Sequence, residues 1–148
     1  MSTKNFSTTS LICTLLSSLL LTGMTAHAAD KPLKLEAQLV LGSNDAQAGG
    51  RPVSPEIEKK LKHLPLKWQH YSVVQAQQFT LAKDETKDVS LSGECQISVK
   101  NLGGERVKLT LKGNGQNVGN ITQTLKKGQV LVAGGSAGNN IVVLRQMD

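Results

Sequence analysis

The chain has 148 residues and a formal net charge of +6, and aromatic residues make up only 3% of it. Because few rings are available to stack on bases, this composition disfavours a nucleic-acid partner. One of the two cysteines, Cys13, lies in an N-terminal apolar segment, so Cys95 has no partner for an internal disulfide. The fold must therefore be held by a hydrophobic core.

Residues 1–28 are predicted to be a secretory signal peptide. Lys4 precedes an apolar run of about a dozen residues, which is shorter than the roughly twenty that a transmembrane helix needs. The sequence Ala26-His27-Ala28 has the small residues that signal peptidase requires, which predicts cleavage before Ala29. We expect an exported protein, periplasmic or extracellular, with no transmembrane segment after cleavage. The alternative is an uncleaved N-terminal anchor.

The remaining residues, 29–148, are predicted to form a single β-rich domain with a formal charge of +5. Its first element is a strand over residues 33–41. Apolar side chains alternate there with Lys34, Glu36 and Gln38, which predicts one buried face and one face in water.

A short helix is predicted after a glycine-rich loop. Ser54 is a suitable N-cap residue, Pro55 fits the first helical position, and Pro65 ends the helix. The predicted apolar stripe consists of Ile57, Leu61 and Leu64. A helix this short is not stable alone, so we expect it to dock on the sheet.

The rest of the chain alternates in strand-like fashion, with turn signals about every eight to twelve residues. Residues 66–81 form either one long strand with a bulge or two strands, and Gly119-Asn120 is a candidate bulge. Apolar runs at 130–133 and 141–144 predict strands buried on both faces. The predicted fold is mainly β: a single antiparallel β-sandwich or partly closed barrel of about seven to eight strands, with one short helix between the first and second strands.

Few residues are suited to catalysis. His63 lies at the end of the predicted helix, where a cation pairs with the helix dipole, and His63 with His70 makes a weak metal site at best. No Gly-x-Ser-x-Gly motif is present, and no set of Ser, His and acid stands out. We therefore predict no catalytic residues, metal or cofactor. Cys95 occupies an apolar position of a strand and is predicted to be a small buried hydrophobe.

The segment Lys67-Trp68-Gln69-His70-Tyr71 is the predicted partner-binding surface, together with Lys62. It contains the only Trp and the only Tyr of the chain. Rings with polar handles beside basic groups suit protein and glycan partners. Strand alternation predicts that Trp68 and His70 share one face while Lys67 and Tyr71 share the other, and Trp68 has the alternative role of a core plug between helix and sheet.

These features predict an exported, non-catalytic binding or envelope-assembly module that recognises a protein or glycan partner. The positive charge serves solubility or attracts anionic envelope material. The contact surface would be a sheet face, an edge strand or the segment from Lys67 to Tyr71. The alternatives are a small exported hydrolase or enzyme inhibitor, and a structural subunit of a cell-envelope assembly. A compact exported domain without disulfides fits a bacterial envelope protein better than a eukaryotic secreted one.

Overall fold

A computed structural model describes residues 30–47, 49–134 and 138–148. The predicted signal peptide and its cleavage site lie outside these residues. Within them, no helix is long and apolar enough to cross a membrane. The elements in chain order are β1 (Leu33–Ser43), β2 (Arg51–Pro52), α1 (Pro55–Lys62), β3 (His70–Leu81), β4 (Thr86–Ser90), β5 (Cys95–Gly103), β6 (Arg106–Gly113), β7 (Gln116–Thr124), β8 (Val130–Gly134) and β9 (Asn140–Gln146).

The strands form two antiparallel sheets. The five-stranded sheet has the order β2-β3-β1-β9-β8, and the four-stranded sheet has the order β4-β5-β6-β7. The two sheets pack face to face and do not close into a barrel, which confirms the predicted mainly-β sandwich with one short helix. The described residues contain nine strands because the two-residue β2 adds one to the predicted number. The helix consequently follows β2 instead of β1.

The main core lies between the two sheets. Along each strand the inward side chains are two residues apart, so one face of each sheet supplies them. The five-stranded sheet contributes Leu33, Leu35, Ala37, Leu39, Phe79, Leu81, Leu131, Ala133, Val142 and Leu144. The four-stranded sheet and its loops contribute Val89, Leu91, Ile97, Val99, Val107, Leu109 and Leu125.

A second core covers the other face of the five-stranded sheet. Ile57 and Leu61 of α1 are buried there, as the apolar stripe predicts, against outward side chains of the sheet. Leu64 lies beyond the end of α1 and is 39% exposed, so the stripe is one residue shorter than predicted. We call this set the helix cluster: Val40, Val53, Ile57, Leu61, Tyr71, Val73, Ile141 and Val143.

The prediction that one face of β1 lies in water is wrong at Glu36 and Gln38, although Lys34 is exposed, because β1 is the central strand and side chains of β3 and β9 flank it on both sides. Glu36 and Gln38 are only 6% and 8% exposed. The Glu36 carboxylate accepts hydrogen bonds from Gln38 Nε2 at 2.9 Å, Gln78 Nε2 at 3.3 Å and Arg145 Nε at 2.5 Å. A charge inside the sheet is thus paired and hydrogen-bonded.

Three register shifts interrupt the ladders, one of them in the β5–β6 pair between Asn101 and Gly103. The register between β1 and β3 shifts so that Val74 has no residue directly opposite, and residues 70–81 are therefore one long strand with a bulge. The register between β6 and β7 leaves Val118 unmatched, beside the predicted bulge at Gly119-Asn120. A bulge bends its strand and raises the local twist.

Candidate functional site

Tyr71, one of the predicted partner-binding residues, is buried. Its side chain is 6% exposed and belongs to the helix cluster, and its hydroxyl donates a hydrogen bond to the Trp68 carbonyl at 3.1 Å. Burial raises the pKa of the Tyr71 hydroxyl, and the positive charge of Lys62 opposes part of this shift. Tyr71 is therefore a core residue.

Trp68 packs over the end of β1. This position agrees with its alternative predicted role as a core plug between the helix and the sheet. Its half-buried ring packs on the helix cluster and against the backbone of Gly42. A Cβ atom on Gly42 would lie 2.2 Å from Trp68 Cδ1, so only glycine fits. The predicted separation of Trp68 from Tyr71 is wrong because residues 66–69 are not in a strand and do not alternate.

The other residues of the predicted surface are exposed. Lys67 and His70 lie on the surface beside α1, and Lys62 Nζ forms an ion pair with Glu58 Oε1 at 2.6 Å, one helical turn away. His63 caps the helix: its backbone N–H donates to the Lys60 carbonyl at 3.2 Å. Both rings of the segment thus make packing contacts, while Lys62, Lys67 and His70 are exposed.

A second basic surface lies on the outer face of the four-stranded sheet. The pairing of β4, β5, β6 and β7 places four cationic side chains on this side, while the alternate residues of the same strands point into the main core. In the described part of the chain, the buried residues of these strands all lie on the inner side. We define the basic sheet face by its cations and its acid: Lys100, Arg106, Lys108, Lys112 and Asp88.

Two lysines oppose each other at the centre of this face. Lys100 of β5 pairs directly with Lys108 of β6, and the row is completed by Thr86 of β4 and Thr122 of β7. Directly opposite side chains in an antiparallel pair have Cβ atoms about 4.5–5.5 Å apart, and like charges there are destabilising. No acid in the row relieves the repulsion.

Asp88, the acidic side chain of the basic sheet face, forms an ion pair with Lys112. Lys112 Nζ lies 3.3 Å from Asp88 Oδ1. A hydrogen bond from Ser98 and then the hydrogen bond and charge of Lys112 lower the pKa of Asp88. Asp88 therefore stays ionised and balances Lys112. The charges of Lys100, Lys108 and Arg106 remain.

Small polar side chains fill the spaces between these cations. Ser98, Thr110 and Asn120 form the adjacent row across β5, β6 and β7, and Thr122 and Thr124 continue it along β7. Hydroxyl and amide groups both donate and accept hydrogen bonds. The face can hold an anionic group over the lysines and polar groups beside it.

Other parts of the surface offer less defined chemistry. A groove of about 520 Å³ beside β8 and β9 is lined by charges of both signs: Glu56, Lys127, Arg145 and Asp148. Over residues 30–47, 49–134 and 138–148, no three His, Cys, Asp or Glu side chains are grouped as a metal ion would require. Cys95 is half-buried against the main core, and burial raises the pKa of its thiol.

Sequence reasoning missed the basic sheet face for an identifiable reason. The alternation of Lys108 and Lys112 with core residues was visible and indicated a wet side. The opposition of Lys100 and Lys108 depends on the β5–β6 register, which shifts between Asn101 and Gly103. If the residues of β5 and β6 are paired outward from the turn that joins them, and the bulge is included, Lys100 is placed opposite Lys108.

No protein-family model, no curated protein and no solved structure matches this chain.

Proposed function

We propose that the protein is an exported, non-catalytic module that binds an anionic glycan of the cell envelope on the basic sheet face. The observation that carries this proposal is the direct opposition of Lys100 and Lys108 in a row without an acid. Export is supported by the signal-peptide pattern of residues 1–28.

The lysine pair gives an anionic ligand a specific advantage. Without ligand, the opposed charges cost about 0.2–1 kcal/mol relative to a neutral pair. A carboxylate or sulfate bound between Lys100 and Lys108 would replace this repulsion by two charge-assisted hydrogen bonds. The ligand therefore gains both the attraction and the relief of the existing repulsion.

The neighbouring side chains favour a glycan over a lipid surface. Ser98, Thr110, Asn120 and Thr122 offer hydroxyl and amide groups at the spacing of the sheet, which suits the hydroxyl groups of an extended sugar chain. Binding to a membrane interface by a surface of this kind uses apolar side chains that enter the acyl boundary. The side chains of the basic sheet face and of the two rows across it are all polar or charged.

Binding can be tested with polygalacturonate, a linear polymer of carboxylated sugars, by calorimetric titration of the exported protein. We expect binding at about 50 mM NaCl that weakens strongly by about 300 mM, because exposed charges are then screened. Neutral dextran should not bind. Vesicles containing phosphatidylglycerol form a further arm that distinguishes a lipid from a glycan source of negative charge.

A matched pair of double variants assigns the binding to the face. Lys100→Gln/Lys108→Gln should weaken the affinity for polygalacturonate at least about tenfold, which is a loss of about 1.4 kcal/mol. Lys59→Gln/Lys60→Gln removes the same charge from the exposed side of α1 and should leave the affinity within about twofold. Equal losses in both variants, or binding to vesicles but not to polygalacturonate, would overturn the proposal.

A further inference from the structure

Strand β7 is an exposed sheet edge without the features that usually protect one. It is nine residues long, it pairs only with β6 among the described strands, and most of its side chains are exposed. From Gln116 to Leu125 it contains no charged residue and no proline. Natural proteins usually protect such edges with lysine, proline or short strands.

The three other edge strands of the described chain do carry such protection. Strand β2 is two residues long, one of them is Pro52, and it pairs only with Ser72 and Val73 of β3. Residues 74–81 of β3 continue this edge without a charged residue, and there Gln77 Nε2 donates a hydrogen bond to the Ser90 carbonyl of β4 at 2.8 Å. Strand β4 has five residues, and Lys87 and Asp88 are among them. Strand β8 also has five residues, and α1 packs against it. Strand β7 therefore stands apart from the three other edges.

The backbone of β7 presents free hydrogen-bonding groups along this edge. The Leu125 N–H donates to the Glu105 carbonyl at 2.8 Å, which makes this pair a hydrogen-bonded one. Hydrogen-bonded pairs alternate along an antiparallel ladder, so every second residue turns its N–H and C=O away from the partner strand. In β7 these are Asn120, Thr122 and Thr124.

We infer that β7 is a self-association edge, which pairs antiparallel with β7 of a second copy of this chain. In a two-fold interface the same patch of both copies is brought together, so a patch with a net charge would face an equal net charge of the same sign. The full chain has a net charge of +6, yet its longest free edge has none. Neutrality over ten residues favours a second copy, because a different partner could be selected by complementary charge.

The resulting dimer should be weak. The bulge at Val118 limits regular pairing to residues 119–124, because a bulge twists the strand away from a flat edge. Two segments of this length bury less than the roughly 1,600 Å² of a standard interface. We expect a dissociation constant of about 10 µM or weaker.

Sedimentation velocity of the exported protein over a concentration series from about 5 µM to about 1 mM tests this inference. We expect a reversible monomer–dimer equilibrium. Asn120→Lys/Thr122→Lys should weaken dimerisation at least about tenfold, and Thr86→Lys/Gln96→Lys, which adds the same charge elsewhere on the sheet, should leave it unchanged. No polysaccharide is present, so the result is independent of the proposed glycan binding.

Two further measurements keep the inference falsifiable if a lysine variant folds poorly. An equimolar mixture of Asn120→Lys/Thr122→Lys and Asn120→Glu/Thr122→Glu should associate more tightly than either variant alone. In the wild-type protein, hydrogen exchange at the amides of Asn120, Thr122 and Thr124 should slow as concentration rises. A wild-type protein that stays monomeric to 1 mM, or one that dimerises without protecting these amides, would overturn the inference.

Discussion

The two sheets of this sandwich differ in how many of their faces are covered. The five-stranded sheet is covered on one side by the four-stranded sheet and, on the part of its other side that belongs to the helix cluster, by α1. The four-stranded sheet has its main-core side buried and its other side in water. The eight-residue helix α1 thus packs on the outer face of the five-stranded sheet, whereas the outer face of the four-stranded sheet stays exposed and available for binding.

The difference appears most clearly in how each outer face treats charge. On the covered sheet Glu36 is buried, and three donors including Arg145 satisfy its carboxylate. On the uncovered sheet Lys100 opposes Lys108 with no acid in the row. A buried charge must be paired, whereas an exposed repulsion costs little and can be kept for a ligand.

The largest expected effect comes from the helix cluster. Tyr71→Ala removes a buried ring and its hydrogen bond to Trp68, so it should lower the free energy of unfolding by about 3–5 kcal/mol. Tyr71→Phe, which loses the hydrogen bond alone, should cost about 0.5–1.5 kcal/mol. Exposed Lys67→Ala is the control, within about 0.5 kcal/mol. Urea denaturation measures all three, and a Tyr71→Ala protein of wild-type stability would restore Tyr71 as a contact residue.

This result bears on what the sequence could predict of the fold. Period-two alternation correctly identified the inward side of β1, and α1 begins at Pro55 after Ser54 as predicted, although the Ser54 side chain makes no capping hydrogen bond. Alternation alone cannot say what covers the other side of a strand. The burial of Glu36 and Gln38 follows from the central place of β1 between β3 and β9, which is a tertiary fact.

The next effect concerns pH and distinguishes the buried charge from exposed ones. Burial alone would raise the pKa of Glu36, but hydrogen bonds from Arg145, Gln78 and Gln38 outweigh it and hold the pKa below its ordinary value of 4.5. The carboxylate therefore stabilises the fold above about pH 4.5, and this contribution is lost as the pH falls through the lowered native value.

Glu36→Gln should thus destabilise the protein at pH 7 by about 1–3 kcal/mol and flatten its loss of stability in acid. Urea denaturation at several pH values between about 3 and 7 measures both effects. Exposed Glu94→Gln is the control and should change the stability at pH 7 by less than about 0.5 kcal/mol. An unchanged acid dependence in Glu36→Gln would show that other carboxylates control it.

The candidate site was less accessible to sequence reasoning than the fold. The segment from Lys67 to Tyr71 drew attention because it holds the only Trp and Tyr, yet in a chain with few aromatic residues those rings are needed for packing. Alternation with core residues predicted that the lysines of the basic sheet face are exposed to solvent. Their opposition depends on strands that meet through a bulged hairpin, so a local pattern did not reveal it.

The smallest expected effect tests the uncovered face directly. Lys108→Thr removes the repulsion with Lys100 and should stabilise the protein by about 0.2–1 kcal/mol at low salt. The gain should shrink above about 0.1 M salt, where the screening length falls below about 10 Å. A double-mutant cycle with Lys100→Thr isolates the coupling from the strand preference of threonine. Lys112→Thr, which loses the Asp88 ion pair, should give no such gain. If the cycle shows no salt-dependent coupling, the two ammonium groups do not repel each other measurably. The argument that an anion binds between Lys100 and Lys108 would then fail.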